Sequence, residues 1–360
     1  MKTSYLTAGI KLGNLLRLLK RNPITFRPKY IGRILFLLQS AIWSSLFSTV
    51  EKLLLKKKIA ATPVPEDPVF IIGHWRTGST YLHQLLNIDP ENAAPTLFQV
   101  AVPECFITGY YFYKPILSMV IDKHRPMDNV RLGMNEPQED EYALYRMTGF
   151  SPLEKLIFPR TKNYFLLHET NFIPGGSARD KWEKKLLTFY QKLHFKTGKK
   201  IVSKNPFNSY RITELSRLFP NARFIHIVRN PIDVVPSTIH MWTIVQQQNA
   251  LINNEYKPSI ADISEVYAAM QEIITRDIER VPPDRKTEVR YEDLVSDPVL
   301  QIKKMYTALS LPFTQSFESK LKDYIKESTK FERNTFNLSD EDKSYICRMF
   351  SIYMAKYGYH

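Results

Sequence analysis

The chain has 360 residues, 44% of them hydrophobic and 24% charged, which describes a folded protein with a sizeable core and excludes disordered or collagen-like chains. A formal charge of +14 and an isoelectric point near 9.5 leave three anionic partners open: nucleic acid, an anionic membrane and a small polyanion. Cys105 and Cys347 are too few for a disulfide framework and lack metal-ligand spacing, so a reducing, cytoplasmic compartment is expected, and the histidines form no HxxxH or HExxH cluster.

Residues 1–60 are expected to form a helical N-terminal region in front of a domain over residues 61–360. Met1 to Arg33 carries charges throughout and lacks the pattern of a signal peptide. The uncharged apolar run Ile34 to Val50 has 17 residues, at the short limit for a bilayer span. Ser40, Ser44 and Ser48 recur every four residues, which draws a polar stripe along one helix face and leaves Leu37, Trp43, Phe47 and Val50 elsewhere, so an amphipathic helix is expected in preference to a span. Lys11, Arg17, Lys20, Arg21, Arg27, Lys29 and Arg33 precede this run, and Lys56, Lys57 and Lys58 follow it. Two readings stay open: packing on the main domain with solvated lysines, or peripheral contact with anionic lipid at the inner face of a membrane.

The proline-rich ATPVPEDP (Ala61 to Pro68) ends this region. PVFIIG then reads as a buried strand, and STYLHQLLNIDP as a helix with Tyr81, Leu82, Leu85 and Leu86 at helical spacing. Pro95 to Asp180, rich in aromatics and prolines, reads as an insertion of loops and helices. KKIVSKNP (Lys199 to Pro206), ARFIHIVRNP (Ala222 to Pro231) and TEVRYEDL (Thr287 to Leu294) are further strands, each followed by a helical segment. Such alternation predicts an α/β fold, a parallel sheet flanked by helices with a helical N-terminal extension, and the glycine loop after the first strand makes a P-loop NTPase-like sheet the expectation.

The loop after the first strand, GHWRTGST, has the spacing GxxxxGST, one residue from the ATP-binding GxxxxGK[ST]. Gly73 and Gly78 permit tight turns, the amides of Thr77 to Thr80 and the following helix N-terminus favour an anion, and Ser79 and Thr80 offer hydroxyls. Ser79 stands where the lysine would be, and the loop's one cation is Arg76. With that lysine displaced and the other strands ending in KNP and RNP instead of an aspartate, an ATPase or GTPase is disfavoured.

The third strand runs into FIHIVRNPIDVVPS, which puts Arg229 at its carboxyl end and Ser237 eight residues later. Together with FIIGHWRTGST, this resembles the sulfotransferase superfamily, whose sulfuryl donor is 3′-phosphoadenosine 5′-phosphosulfate (PAPS). Arg76, Thr77, Gly78, Ser79 and Thr80 match that family's 5′-phosphosulfate loop, [KR]-x-G-[ST]-T, and Arg229 and Ser237 match its 3′-phosphate motif. RYEDL (Arg290 to Leu294) and YMAKYGY near the C-terminus are further points of similarity, and the likeness covers roughly residues 66 to 360.

The resemblance implies PAPS as co-substrate, no metal, and Arg76 stabilising the leaving phosphate; an arginine does this as a permanent charge and not as an acid. The acceptor must lose a proton, and the K-x-H segment that supplies a histidine base in many relatives reads here SKNP, with Lys204 and no histidine. Glu139 or Glu141, in the cluster NEPQEDEYAL with Glu136 and Asp140, is the expected base, although the same acids would suit the first turn of a helix. Glu104, His74 and His124 are further candidates, and Lys330 and Arg333 are candidates for the 3′-phosphate. The aromatic content of Leu97 to Phe150 points to an apolar or amphipathic alcohol as acceptor, a small molecule, lipid or glycan. Two other functions stay open: another P-loop enzyme such as a nucleotide-dependent kinase, and a non-catalytic basic protein that binds membrane or nucleic acid. Nucleic acid is disfavoured because the lysines are scattered and not interleaved with aromatics. Nothing in the sequence fixes the oligomeric state.

Overall fold

The computed structural model describes residues 6–24, 28–120, 133–159, 176–253, 257–327 and 336–359. These form two compact units. The first comprises Met1–Val64, Pro95–Gly198 and Met241–Pro258; the second comprises Pro65–Ala94, Lys199–His240 and Ser259–His360. Residues 1–60 therefore share a unit with the aromatic-rich insertion, a different grouping from the boundary at residue 60 expected from sequence.

The second unit holds a parallel sheet of five strands among the described residues: β1 (Val69–Ile72), β2 (Asn92–Ala93), β3 (Lys200–Lys204), β4 (Arg223–Val228) and β5 (Lys286–Arg290). Their spatial order is β2-β3-β1-β4-β5. Every residue of β1 is buried, as a strand covered on both faces requires. Val69, Ile71, Val202, Ile225 and Ile227 pack on one face with Leu82, Leu85 and Leu86 of the Ser79–Leu86 helix and with Ile302 and Met305 of the Pro298–Ala308 helix. Phe70 lies within 5.8 Å of Phe219 and 5.5 Å of Phe224, ring centre to ring centre.

Two local expectations change. The segment Thr287 to Leu294 is not one strand: β5 stops at Arg290, and Tyr291–Ser296 is helical, with Glu292 and Asp293 in its first turn where the helix dipole favours acids. The two-residue strand β2 is too short to leave a periodic signal. The order of the strands has a functional consequence. β1 is flanked by β3 on one side and β4 on the other, so the direction of winding reverses there, and ligands of such sheets bind beyond the carboxyl ends at that reversal. The loops after β1 and β4 carry Arg76 and Arg229.

In the first unit the expected amphipathic helix is a 34-residue helix, Pro28–Ala61, long and apolar enough to cross a membrane by length and composition alone. Its serine stripe faces the protein. Ser40 Oγ accepts from the Gly9 amide at 2.8 Å, Ser44 Oγ donates to the Gly9 carbonyl at 2.7 Å, and Ser45 Oγ accepts from the Leu12 amide at 2.9 Å. Glu51 is buried and paired with Lys192 of the Ser177–Thr197 helix at 2.5 Å, while its other oxygen accepts from the amides of Ile107 and Thr108, both at 2.9 Å. The polar stripe read from the sequence is the inner face: hydroxyls and backbone satisfy each other inside, and several aliphatic side chains point outward. The insertion contributes the helices Leu97–Ala101, Tyr110–Val120, Glu141–Thr148 and Glu154–Ile157 to the same unit.

Candidate active site

The loop between β1 and the Ser79–Leu86 helix is shaped by two glycines that no other residue could replace without movement. Gly73 has φ 138°, and a Cβ there would lie 2.6 Å from the Ile227 carbonyl oxygen. Its amide donates to Ser209 Oγ at 2.9 Å. Gly78 has φ 90° and caps the helix, and a Cβ there would meet the Tyr291 ring at 2.1 Å. Between them Arg76 has φ 67°, a left-handed conformation that costs an arginine on the order of 1–2 kcal/mol. Thr77 Oγ1 donates to the His74 carbonyl at 2.7 Å and closes the turn beside it.

Neighbouring groups hold Arg76 in that conformation. Its Nε donates to Ser237 Oγ at 2.9 Å, and its carbonyl accepts from Arg229 Nη1 at 3.2 Å. The residues matched to two separate motifs in the sequence, 153 positions apart, thus meet at one place. Ser237 lies in the Pro231–Asn249 helix and is nearly buried. Arg229 Nη2 also pairs with Asp233 Oδ2 at 3.2 Å, and the guanidinium lies 4.4 Å from the centre of the Tyr291 ring. Its Nε is buried with no hydrogen-bond partner among the described residues. Two arginines joined through the Arg76 carbonyl, with one half-exposed carboxylate beside them, make a place that favours an anion. An arginine at a strand end can cap a carboxylate of the following turn, and Asp233 is that partner here.

Sequence reasoning missed what fixes Arg229. Tyr267, of the Ile260–Ile278 helix, donates to the Arg229 carbonyl at 3.2 Å. Tyr353, of the Ser351–Tyr357 helix, donates to the same carbonyl at 3.3 Å and accepts from the Arg229 amide at 3.4 Å. Tyr353 lies in YMAKYGY, a segment whose similarity to sulfotransferases assigns it no contact with Arg229.

Two histidines near the loop are neutral. His74 Nδ1 lies 2.9 Å from the Trp75 carbonyl, and because a carbonyl only accepts, the proton is on Nδ1. Burial pushes the ring down to about 3, with that hydrogen bond opposing the shift. His83 Nε2 is likewise the donor to the Val202 carbonyl at 3.1 Å, and burial, reinforced by the charge of Lys204, pushes it down to about 3. Rings this weakly basic are poor proton acceptors at neutral pH. Lys204 itself is buried at the carboxyl end of β3.

The carboxylates expected to provide a base belong to the first unit. Glu141 starts the Glu141–Thr148 helix and accepts from Ser151 Oγ at 2.5 Å; Asp140 accepts from the Tyr190 hydroxyl at 2.7 Å; Glu139 is buried. The position of Glu141 in a first helical turn matches the dipole argument made for this acidic cluster. Glu104 is paired with Lys11 at 2.8 Å and Lys185 at 3.1 Å. Burial raises its pKa, but the two lysines outweigh that and hold it below the usual carboxylate range, which suits an ion-paired anchor and not a proton acceptor. His124, Lys330 and Arg333 lie outside the described residues. Among the described residues no cluster of His, Cys, Asp and Glu is arranged to hold a metal.

Comparison with known proteins bears on the family and the fold. Residues 68–315 match the model of the Sulfotransferase family. The chain is 30% identical over 360 residues to omega-hydroxy-beta-dihydromenaquinone-9 sulfotransferase Stf3 of Mycobacterium bovis, covering 98% of this chain and 91% of that protein. The same values hold for the Stf3 protein of Mycobacterium tuberculosis. Among solved structures, sulfotransferase STF9 from Mycobacterium avium superimposes with a TM-score of 0.72 at 18% identity, over 96% of this chain and 91% of that one. Sulfotransferase STF1 from Mycobacterium tuberculosis does so with a TM-score of 0.62 at 15% identity, over 94% and 90%. These two share the fold. The family match, which spans both anion motifs and the sheet that positions them, identifies the chain as a member of the sulfotransferase family and an enzyme of sulfuryl transfer.

Proposed function

We propose that this sulfotransferase takes its sulfuryl group from PAPS and delivers it to the hydroxyl of a lipid-class acceptor. The observation that carries the donor reading is the junction of Arg76 Nε with Ser237 Oγ at 2.9 Å, beside Arg229. In the reaction the bond from sulfur to the phosphate oxygen breaks, a bond from sulfur to the acceptor oxygen forms, and the acceptor proton goes to a base. Arg76 stabilises the charge that grows on the departing phosphate, and the Thr77–Thr80 segment binds the phosphosulfate. Arg229 and Ser237 hold the 3′-phosphate, with the buried Nε of Arg229 as an available donor. The base is Glu139 or Glu141. The lipid acceptor rests on the printed name of the 30%-identical relative, a sulfotransferase of a hydroxylated menaquinone.

Thermal melting tests the donor. Adenosine 3′,5′-bisphosphate without magnesium should stabilise the protein by about 2.7 kcal/mol at a hundredfold excess over Kd, and ATP with magnesium should not. Arg229→Ala should abolish most of that gain; a protein stabilised by magnesium-ATP alone would be a kinase-type enzyme and would refute the reading. Among Glu139→Gln and Glu141→Gln, the variant that removes the base should keep the bisphosphate response and lose about 10²–10⁴ in kcat. Labelled donor with an ω-hydroxy isoprenoid quinone, set against soluble sugars, tests the acceptor, and preference for the sugars would overturn it.

A further inference from the structure

The outward face of the Pro28–Ala61 helix is apolar where a solvated helix would be polar. Leu35, Ile42, Leu46 and Leu53 are 60%, 54%, 53% and 80% exposed. They follow one another at intervals of seven, four and seven residues, so they lie along a single line on the helix surface. The line extends over about 27 Å at a rise of 1.5 Å per residue. Trp43, Val50 and Leu54 are also exposed and lie beside it. The opposite face is pinned to the protein by Ser40, Ser44, Ser45 and the Glu51–Lys192 pair, so the helix cannot roll to hide the apolar line.

A second helix of the same unit enlarges the surface. In Tyr110–Val120, Tyr111 and Met119 are 88% and 78% exposed, and Ile116 is exposed too. Phe112 joins the two helices, with its ring centre 5.2 Å from that of Trp43 and 4.6 Å from that of Phe47. An exposed apolar surface of this extent is not left to water without a reason.

Charge identifies what covers it. The only acid of the Pro28–Ala61 helix is Glu51, which is buried and neutralised, whereas Lys29, Lys52, Lys56, Lys57 and Lys58 are exposed. Lys114 is exposed on the second helix. Every exposed charge on the long helix is therefore positive. A second copy of a chain with net charge +14 would bring lysines against lysines, while an anionic lipid surface would meet apolar line and lysines together. A span across the bilayer would instead bring the Glu51–Lys192 pair and the serine hydrogen bonds to the depth of the hydrocarbon.

We infer that this surface docks the enzyme on an anionic membrane, with the Pro28–Ala61 helix lying in the interface and its apolar line turned into the lipid. The inference is independent of the acceptor assigned above, since it rests on the first unit alone. Co-sedimentation of the full chain with phosphatidylcholine vesicles containing about one-third phosphatidylglycerol, against pure phosphatidylcholine, tests it. Binding should require the anionic lipid, weaken at high salt, and fall about fivefold for each of Lys56, Lys57 and Lys58 replaced by glutamine. Leu46→Glu with Leu53→Glu should reduce binding at least tenfold, while the melting temperature and the response to adenosine 3′,5′-bisphosphate stay unchanged because both side chains are exposed and outside the anion site. Absence of binding to anionic vesicles, or undiminished binding of the double variant, would overturn the inference. So would concentration-dependent dimerisation in sedimentation velocity that the double variant abolishes, because the surface would then belong to a second copy.

Discussion

The fold should lose stability on mild acidification, and the two buried histidines set the size of the loss. His74 and His83 have ordinary values of 6.5 and are pushed to about 3 in the folded protein. Between those values the unfolded chain binds a proton at each ring and the folded chain does not, so stability falls as pH falls through this window and is fully present above it. At pH 5, about 1.5 units below the unfolded value, each ring costs about 2 kcal/mol, and the two together cost about 4 kcal/mol relative to pH 7.5. Glu104 and Glu288, both held below the usual carboxylate range, lose stability only further down, as pH falls through the carboxylate region. Urea unfolding at pH 7.5, 6.5, 5.5 and 5.0, at constant ionic strength, measures the slope directly. His83→Gln, which keeps a donor for the Val202 carbonyl, should flatten it by about half even if the variant is less stable at pH 7.5. A change of less than about 1 kcal/mol across the range, or an unaltered slope in that variant, would show that protons reach these rings in the folded state and would refute the argument.

Gly78→Ala should cost about 2–4 kcal/mol, from a Cβ driven into the Tyr291 ring at 2.1 Å and from φ 90°, and because Tyr291 lies against Arg229 the affinity for adenosine 3′,5′-bisphosphate should fall as well; near-wild-type melting and binding would mean the loop shifts freely. Glu51→Gln should cost about 3–5 kcal/mol in urea unfolding by leaving Lys192 buried without a countercharge, and adding Lys192→Met should recover part of it; a single-variant cost below about 1 kcal/mol would remove the pin proposed for the long helix.

The features legible in the sequence are those that depend on neighbours along the chain. A buried parallel strand announces itself as VFII, the turn glycines and the displaced cation are visible in GHWRTGST, and an arginine at a strand end with a serine eight residues on can be read from one line of text. Partners distant in the chain cannot be read so. Tyr353 and Tyr267 hold the Arg229 backbone from positions 124 and 38 residues away, and nothing in their own surroundings marks them for that task. The direct bond from Arg76 to Ser237 is illegible for the same reason: each belongs to a different motif, and only the adjacency of β1 and β4 brings them together.

The long helix shows how distant partners decide what a local pattern leaves open. A serine at every fourth position marks a polar stripe, and the stripe by itself does not say whether it meets water or the protein. A hydroxyl that meets a backbone amide or carbonyl loses little on burial, because it exchanges one hydrogen bond for another. Ser40 and Ser44 do this with Gly9, in a segment 31 and 35 residues away, and Glu51 does it with two amides and Lys192, 141 residues away. With those polar groups satisfied inside, the face that carries Leu35, Ile42, Leu46 and Leu53 is turned outward. Their exposure follows from how the serines and Glu51 are paired. An aliphatic line fixed outward in this way, beside lysines and no exposed acid, is better matched to the surface of an anionic bilayer than to water.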